Sequence, residues 1–294
     1  MDVTCILEAG DGVGESLVYD DRTNALLWVD ITGRRIQRLD LASGRVERWE
    51  TEELATSIGL REDGGIIVGL TRRIALFDFE TFTPFVDIEP DRPQNRLNEG
   101  RVDPWGRFVV GTMENNLTPE GAPREMAGAS GAFHIVNPDG TTRQLTPNEF
   151  GITNTLVWQE GRLVCADTLE DTLYCYELDG ETGALSGRRI FYEGFGRGLP
   201  DGSCQDVDGH IWNARFGGSC LLRLTPDGQV ERVVDLPCTN PTSCTFGGPG
   251  HRTLYVTSAR FGLPPERIAE APWEGGLFAV DAGVPGVPEN RFAG

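Results

Sequence analysis

The sequence predicts an all-β fold, a six-bladed β-propeller with four antiparallel strands per blade, and three observations carry that prediction. Six segments repeat one pattern at intervals of roughly forty to fifty residues: a short strand, a turn, an apolar strand, then a third strand ending in Asp-Gly or Ser-Gly. The apolar strands centre near Trp28, Ile67, Val109, Val164, Trp212 and Tyr255, and ten to thirteen residues or so before them stand Glu15, Ser57, Asn98, Asn154, Asp201 and Cys244. The composition is that of a turn-rich β protein, with 38 Gly punctuating the strands and 39% hydrophobic residues to fill a core. A lone four-stranded sheet cannot bury both faces, whereas six stacked radially can, leaving only short edges.

Taken in order, the first strand-like run is VTCILE at residues 3–8, ahead of any full unit. The first unit then reads ESLVYD from Glu15, LLWVDI at 26–31, RRIQRL at 34–39 and RVERWE, with Thr32-Gly33 and Ser43-Gly44 at the turns. Later units supply EDGGIIVGL, DPWGRFVVGTM, EGRLVCADT, VDGHIWNARF and GHRTLYVTSAR as second-strand segments, each opened by a turn signal and then running apolar. The last unit, GGLFAVDAG, lacks one strand, so the N-terminal run is expected to complete it and close the ring. The stretch from Glu114 to Ser130 has Gly, Pro and Ala but no strand pattern, as a lid or binding loop would. PPERIAEAP is expected to form one turn of helix at most. The repeats leave no room for a linker, so residues 1–294 form a single domain.

The formal charge is −19, and every one of the 26 basic residues is Arg. An acidic surface repels nucleic acid and anionic lipid. The N-terminus lacks the basic and apolar regions of a signal peptide, and no stretch approaches a membrane span. Seven cysteines with no C-x-x-C pair, mostly within or beside strands, fit reduced thiols. The expectation is a cytoplasmic monomer without nucleic-acid or membrane partners.

Equivalent positions in a ring of repeats face one axis, so the register predicts that Glu15, Asn98, Asn154 and Asp201 converge. Two carboxylates and an amide carbonyl suit a hard divalent cation, and three protein ligands leave positions open for water and substrate. Pro200-Asp201-Gly202 taken alone is a favoured turn, and Asn154 alone a capped one; the shared register is what no turn preference explains. Metal binding and polar-substrate binding both remain open on these residues. Neither Ser57 nor Ser243 has a His in register, which argues against a Ser-His-Asp hydrolase. His134, His210 and His251 are expected to be partly exposed and structural, and Cys204 and Cys244 small buried residues.

Several motifs resemble one family. G-x-G-E-S (Gly12 to Ser16), N-R-x-N-E-G-x-x-D-P-x-G-R-x-x-x-G-T-M (Asn95 to Met113), T-N-T (Thr153 to Thr155), A-D-T-x-x-x-T-L-Y-x-Y (Ala166 to Tyr176), P-D-G (Pro200 to Gly202), T-S-C-x-F-G-G-P (Thr242 to Pro249) and G-G-L-F (Gly275 to Phe278) resemble, in order and over nearly the whole chain, the SMP-30/gluconolactonase/luciferin-regenerating family. That resemblance implies a propeller that hydrolyses a sugar lactone with one divalent metal ion (Ca²⁺, Mn²⁺, Mg²⁺, Zn²⁺ or Fe²⁺). It implies Glu15, Asn154 and Asp201 as ligands and Arg96 and Asn98 as contacts to sugar hydroxyls. Three positions depart from the family pattern: Glu99 replaces a frequent Asp, Asn116 stands where animal members have a lid Glu (with Glu114 two residues away), and Thr155 replaces a common Gly. Asn116 and Glu114 are thus both candidates for the lid contact. Asp201 is the expected general base, drawing the proton from a water that attacks the lactone carbonyl. The alternatives are a calcium-dependent phosphotriesterase or arylesterase, and a propeller that only binds.

Overall fold

The computed structural model describes residues 1–294 and contains six antiparallel sheets arranged as propeller blades. Blade one runs Gly14–Asp20, Ala25–Asp30, Arg35–Asp40 and Val46–Glu50, counted from the axis outward. The innermost strands of the other blades are Ser57–Arg61, Asn95–Val102, Thr153–Gln159, Leu199–Gln205 and Asn240–Gly247, each followed outward by its second strand. In blade six the outermost strand is the N-terminal one: Val3–Leu7 pairs with Leu277–Asp281, so the two ends of the propeller are hydrogen-bonded into one sheet as the sequence predicts.

Why the second strands are apolar on both faces follows from the packing. Side chains alternate across a strand, and each blade lies between two others. Leu26 and Trp28 of blade one pack toward blade six with Tyr255 and Leu277, while Leu27 and Val29 pack toward blade two with Ile58 and Val68. Val109 and Val110 divide in the same way between blades four and two. The core is therefore six separate layers, one at each blade-to-blade junction.

The innermost strands of five blades are bulged near the predicted axial residues, whereas in blade two Ser57 pairs regularly with Gly69. Pairing with the second strand is interrupted between Glu15 and Val18, Leu97 and Gly100, Asn154 and Leu156, Pro200 and Ser203, and Pro241 and Cys244. Such bulges re-aim side chains. In blade six the interruption encloses Thr242 and Ser243, so Cys244 is the residue at which pairing resumes rather than the one in the bulge, a correction to the expected register.

The helix Pro265–Glu270 is six residues, a little longer than the single turn expected. A two-residue strand that the sequence does not announce, Arg291–Phe292, pairs in parallel with the innermost strand of blade two. The segment leading to it crosses the lower end of the axis: Val287 donates to Gln205, Thr245 donates to Glu289, and Asn290 donates to Val102. His134 is buried and bonded to Glu89 at 3.1 Å, not partly exposed as expected, while His210 and His251 are half-buried.

Candidate active site

A cavity of about 260 Å³ opens at the upper end of the axis and is lined by Glu15, Arg96, Asn98, Asn116, Asn154 and Asp201. Residues from blades one, three, four and five, separated by up to 186 positions in the chain (201 − 15), thus share one chamber. Glu114 is not among them. Its carboxylate accepts the backbone N–H groups of Ala127 at 2.7 Å and Gly128 at 3.2 Å and faces Arg124 at 3.7 Å. The expected substrate contact at Glu114 is therefore an anchor for the 115–130 loop, because two lid N–H groups have no other nearby acceptor of that charge.

Glu15 and Asp201 are both buried and lie within hydrogen-bonding reach of each other. Burial pushes both carboxyls up from their ordinary range. Asp201 is pushed the further, because the Glu15 charge and then that of Glu99 add to burial. Only the Ser16 N–H, 2.6 Å from Glu15, and the Gly202 N–H on Asp201 counter this from the backbone. Gly202 permits that approach: a Cβ there would meet Ser243 Cα at 2.9 Å. Two buried carboxylates facing each other reach neutrality by sharing a proton or by holding a cation.

Asn154 argues for the cation. Its amide N–H donates to Thr168 at 2.9 Å, which turns Oδ1 the other way, and that oxygen is buried with no hydrogen-bond partner. A buried carbonyl oxygen left without a donor costs about 1–3 kcal/mol unless something at the site takes it up. Two carboxylates and this orphaned oxygen make a hard, oxygen-only donor set that fits Ca²⁺, Mg²⁺ or Mn²⁺. Nowhere do three His, Cys, Asp or Glu side chains gather as a metal cluster, so a three-residue donor set at this point has to include the amide.

The wall on the blade-three side is polar. Arg96 donates from Nη1 to Asn98 at 2.8 Å and to the Leu97 carbonyl at 2.8 Å, and from Nη2 to Asn116 at 2.9 Å. Asn98 in turn donates to the Thr153 carbonyl at 2.8 Å. Burial lowers Arg96 to about 10, opposed by the charge of Glu15, and it stays cationic at neutral pH. What remains unpartnered is the Nε–H and one Nη2 N–H of Arg96, one N–H of Asn98, and the Asn116 amide N–H pair.

Several participants escape sequence reasoning. Thr168 orients Asn154, and its only trace is its place in the A-D-T motif. Arg101 crosses below the site, donating to the Ser203 carbonyl at 2.5 Å and, at 3.4 Å, to those of Leu17 and Cys244. Glu99 lies between the carboxylate pair and Arg101, raised by burial and then by the Glu15 charge. The upper collar of the cavity is apolar: Val13, Ile152, Leu169, Leu199, Phe216 and Phe261 line it, and no periodicity marks them as a set.

Comparison with known proteins places the chain. The SMP-30/Gluconolactonase/LRE-like region matches residues 13–260. Regucalcin of Gallus gallus is 33% identical over 299 aligned residues, spanning 99% of this chain and 98% of its own. The 6-deoxy-6-sulfogluconolactonase of Pseudomonas putida is 36% identical over 297, again spanning 99% and 98%. Among solved structures, the calcium-binding protein regucalcin of Agrobacterium tumefaciens strain C58 superimposes with a TM-score of 0.89 at 27% identity, over 98% of this chain and 96% of that one. Motif order, propeller architecture and similarity over the full length agree, and the chain belongs to the SMP-30/gluconolactonase/LRE-like family.

Proposed function

We propose that the protein is a divalent-metal-dependent lactonase that opens a sugar lactone to its aldonic acid. The observation that carries this reading is the buried pair Glu15 and Asp201 beside the unpartnered carbonyl of Asn154, facing the donors of Arg96, Asn98 and Asn116. Glu15, Asn154 and Asp201 would hold one divalent ion, drawn from Ca²⁺, Mn²⁺, Mg²⁺, Zn²⁺ and Fe²⁺. When bound, such an ion supplies Lewis-acid activation of a carbonyl and of water. The names of the relatives, lactonase in one case and calcium-binding in another, support the class.

The remaining work falls to the chain. Arg96, Asn98 and Asn116 orient ring hydroxyls with their spare N–H groups, and Asn116 sits at the root of the loop, on the cavity wall. Asp201 takes the proton of the attacking water as its oxygen joins the lactone carbonyl carbon. The ring C–O bond then breaks and the departing ring oxygen receives that proton, so no covalent enzyme intermediate is needed. The setting is a single propeller over 1–294, monomeric and cytoplasmic. All seven cysteines are unpaired, and no helix is long and apolar enough to cross a membrane.

The test is acid release from a panel of aldonolactones, with the protein as purified, after chelation, and after return of single divalent metals. Turnover is expected to vanish with chelator and to return with metal. Asp201→Ala is expected to lose both metal retention and turnover, and Asn98→Ala mainly to raise KM. Full activity in Asp201→Ala, or activity indifferent to chelation, would sink the assignment. The apolar collar favours a second reading as an aryl esterase or phosphotriesterase. Hydrolysis of an aryl ester by metal-loaded protein that ignores every lactone would select it.

A further inference from the structure

The cavity is two-sided, and its sides differ in what they can accept. All spare donors lie on the blade-three wall and the floor. The opposite arc, Ile152, Leu169, Leu199, Phe216, Phe261 and Val13, has no side-chain donor or acceptor except the Thr168 hydroxyl, which is already taken by the Asn154 amide and the Pro200 carbonyl. Cations do stand behind that arc, but they are turned away. Arg215 is fully buried behind the arc and does not line the chamber; its Nη2 is engaged with Asp171 and the Gly198 carbonyl, and its Nη1 has no partner. Arg260 donates to the carbonyls of Glu274 at 2.7 Å and Pro272 at 3.1 Å. Under the lid, Arg34 is bonded to the Pro119 carbonyl at 2.9 Å and Arg124 faces Glu114. Arg96 is the one cationic side chain lining the chamber, and three of its donations are already made.

Resting on the lactonase reading, we infer that the substrate is a neutral 6-deoxyaldonolactone: its ring hydroxyls face Arg96, Asn98 and Asn116, and its terminal methyl lies against Leu169, Leu199, Phe216 and Phe261. A terminal hydroxyl on that arc would be desolvated without a partner, and a sulfonate or phosphate would meet no cation at all. The Pseudomonas putida relative is named for a sulfonated lactone; the arc of this chain offers a sulfonate nothing to pair with. An apolar wall rejects an added hydroxyl by about ten- to hundredfold, and an unpaired anion by more.

The experiment compares kcat/KM on matched pairs that differ only at C6: D-fucono- against D-galactono-1,4-lactone, and L-rhamnono- against L-mannono-1,4-lactone, with 6-phosphogluconolactone as the anionic probe. The expected result is a preference of tenfold or more for the 6-deoxy member of the pair whose ring configuration is accepted, and turnover of the phosphorylated lactone at least a hundredfold below it. Leu169→Arg, at a rim position 54% exposed and therefore tolerant of substitution, is expected to raise phosphorylated-to-deoxy turnover at least tenfold. Equal or better turnover of the 6-hydroxy lactones would overturn the inference while leaving the lactonase reading intact, as would an unchanged ratio in Leu169→Arg. Failure to hydrolyse any lactone would bring down the proposed function and this inference with it.

Discussion

Asp11 is a carboxyl whose surroundings make it weigh against the fold at neutral pH. It is buried, with Trp28 Nε1 at 2.8 Å, Gln37 Nε2 at 2.8 Å and Arg35 Nη2 at 3.2 Å, yet burial and the neighbouring Asp30 outweigh these donors and push it up to about 6. The native state therefore keeps a proton that the unfolded chain releases near pH 4. This group's contribution to stability is present below about pH 4, falls as pH rises to about 6, and is flat above, a loss on the order of 3 kcal/mol. Asp11→Asn has no such titration. Urea unfolding of both proteins at pH 4 and pH 7 should show the wild type losing stability relative to the variant by about that amount; an identical difference at both pH values would refute the shift. The axial set is more legible than Asp11. Glu15, Asn98, Asn154 and Asp201 were findable because a repeat places like positions on one axis. The conformation of Thr155, marked in the sequence only as a departure from the family's Gly, was not: its φ of 53° is left-handed, which a β-branched residue avoids. The tertiary bonds of its hydroxyl, to the Asp201 carbonyl at 2.5 Å, Ser203 Oγ at 2.8 Å and Asn213 Nδ2 at 3.4 Å, hold it there.

The lid shows what an element adds to its residues. Asn115–Ser130 leaves the second strand of blade three, touches blade one where Arg34 donates to Pro119, and returns through the N–H groups that Glu114 accepts. Sequence marks it only as a loop too long to be idle; which side chain lines the chamber and which fastens the loop depends on strand phase, and Asn116 and Glu114 differ for that reason. Glu114→Ala is expected to leave two N–H groups without their acceptor, loosening the root of the loop and with it Asn116. On the lactonase reading, KM should rise by about five- to thirtyfold with a smaller change in kcat, the effect of losing about 1–2 kcal/mol of charged hydrogen bonding. Trypsin should cut after Arg124 sooner than in the wild type. A KM and a cleavage rate both unchanged would mean that the loop is held by other contacts. The C-terminal pair Arg291–Phe292 was invisible beforehand because two residues in parallel pairing have no periodicity to detect, and its place is set by Phe292 being buried between blades two and three.

At the scale of the molecule, closure of the ring supports the chamber, since Glu15 and Asp201 come from blades one and five, the two neighbours of blade six. The closing strand Val3–Leu7 pairs with Leu277–Val280, and Val3 and Cys5 pack against the core between blades five and six while Leu7 packs between six and one. The sequence signalled this arrangement by arithmetic, a strand too many at the start and one too few at the end. Deleting residues 1–9 removes a run of inter-strand bonds and three half-buried apolar side chains. Each kcal/mol lost corresponds, for a chain of this length, to a fall in Tm of about 2 °C, and a fall of several degrees is expected. The deletion also bares the edge of Leu277–Asp281, which a strand of matching sequence should fill. A synthetic peptide of residues 1–9 is therefore expected to restore Tm at saturating concentration, while a scrambled peptide does nothing. A deletion variant melting within a degree of the wild type would mean that the six interblade layers hold the ring without its clasp. A lowered Tm that the peptide leaves untouched would mean that the strand acts during folding rather than in the finished molecule.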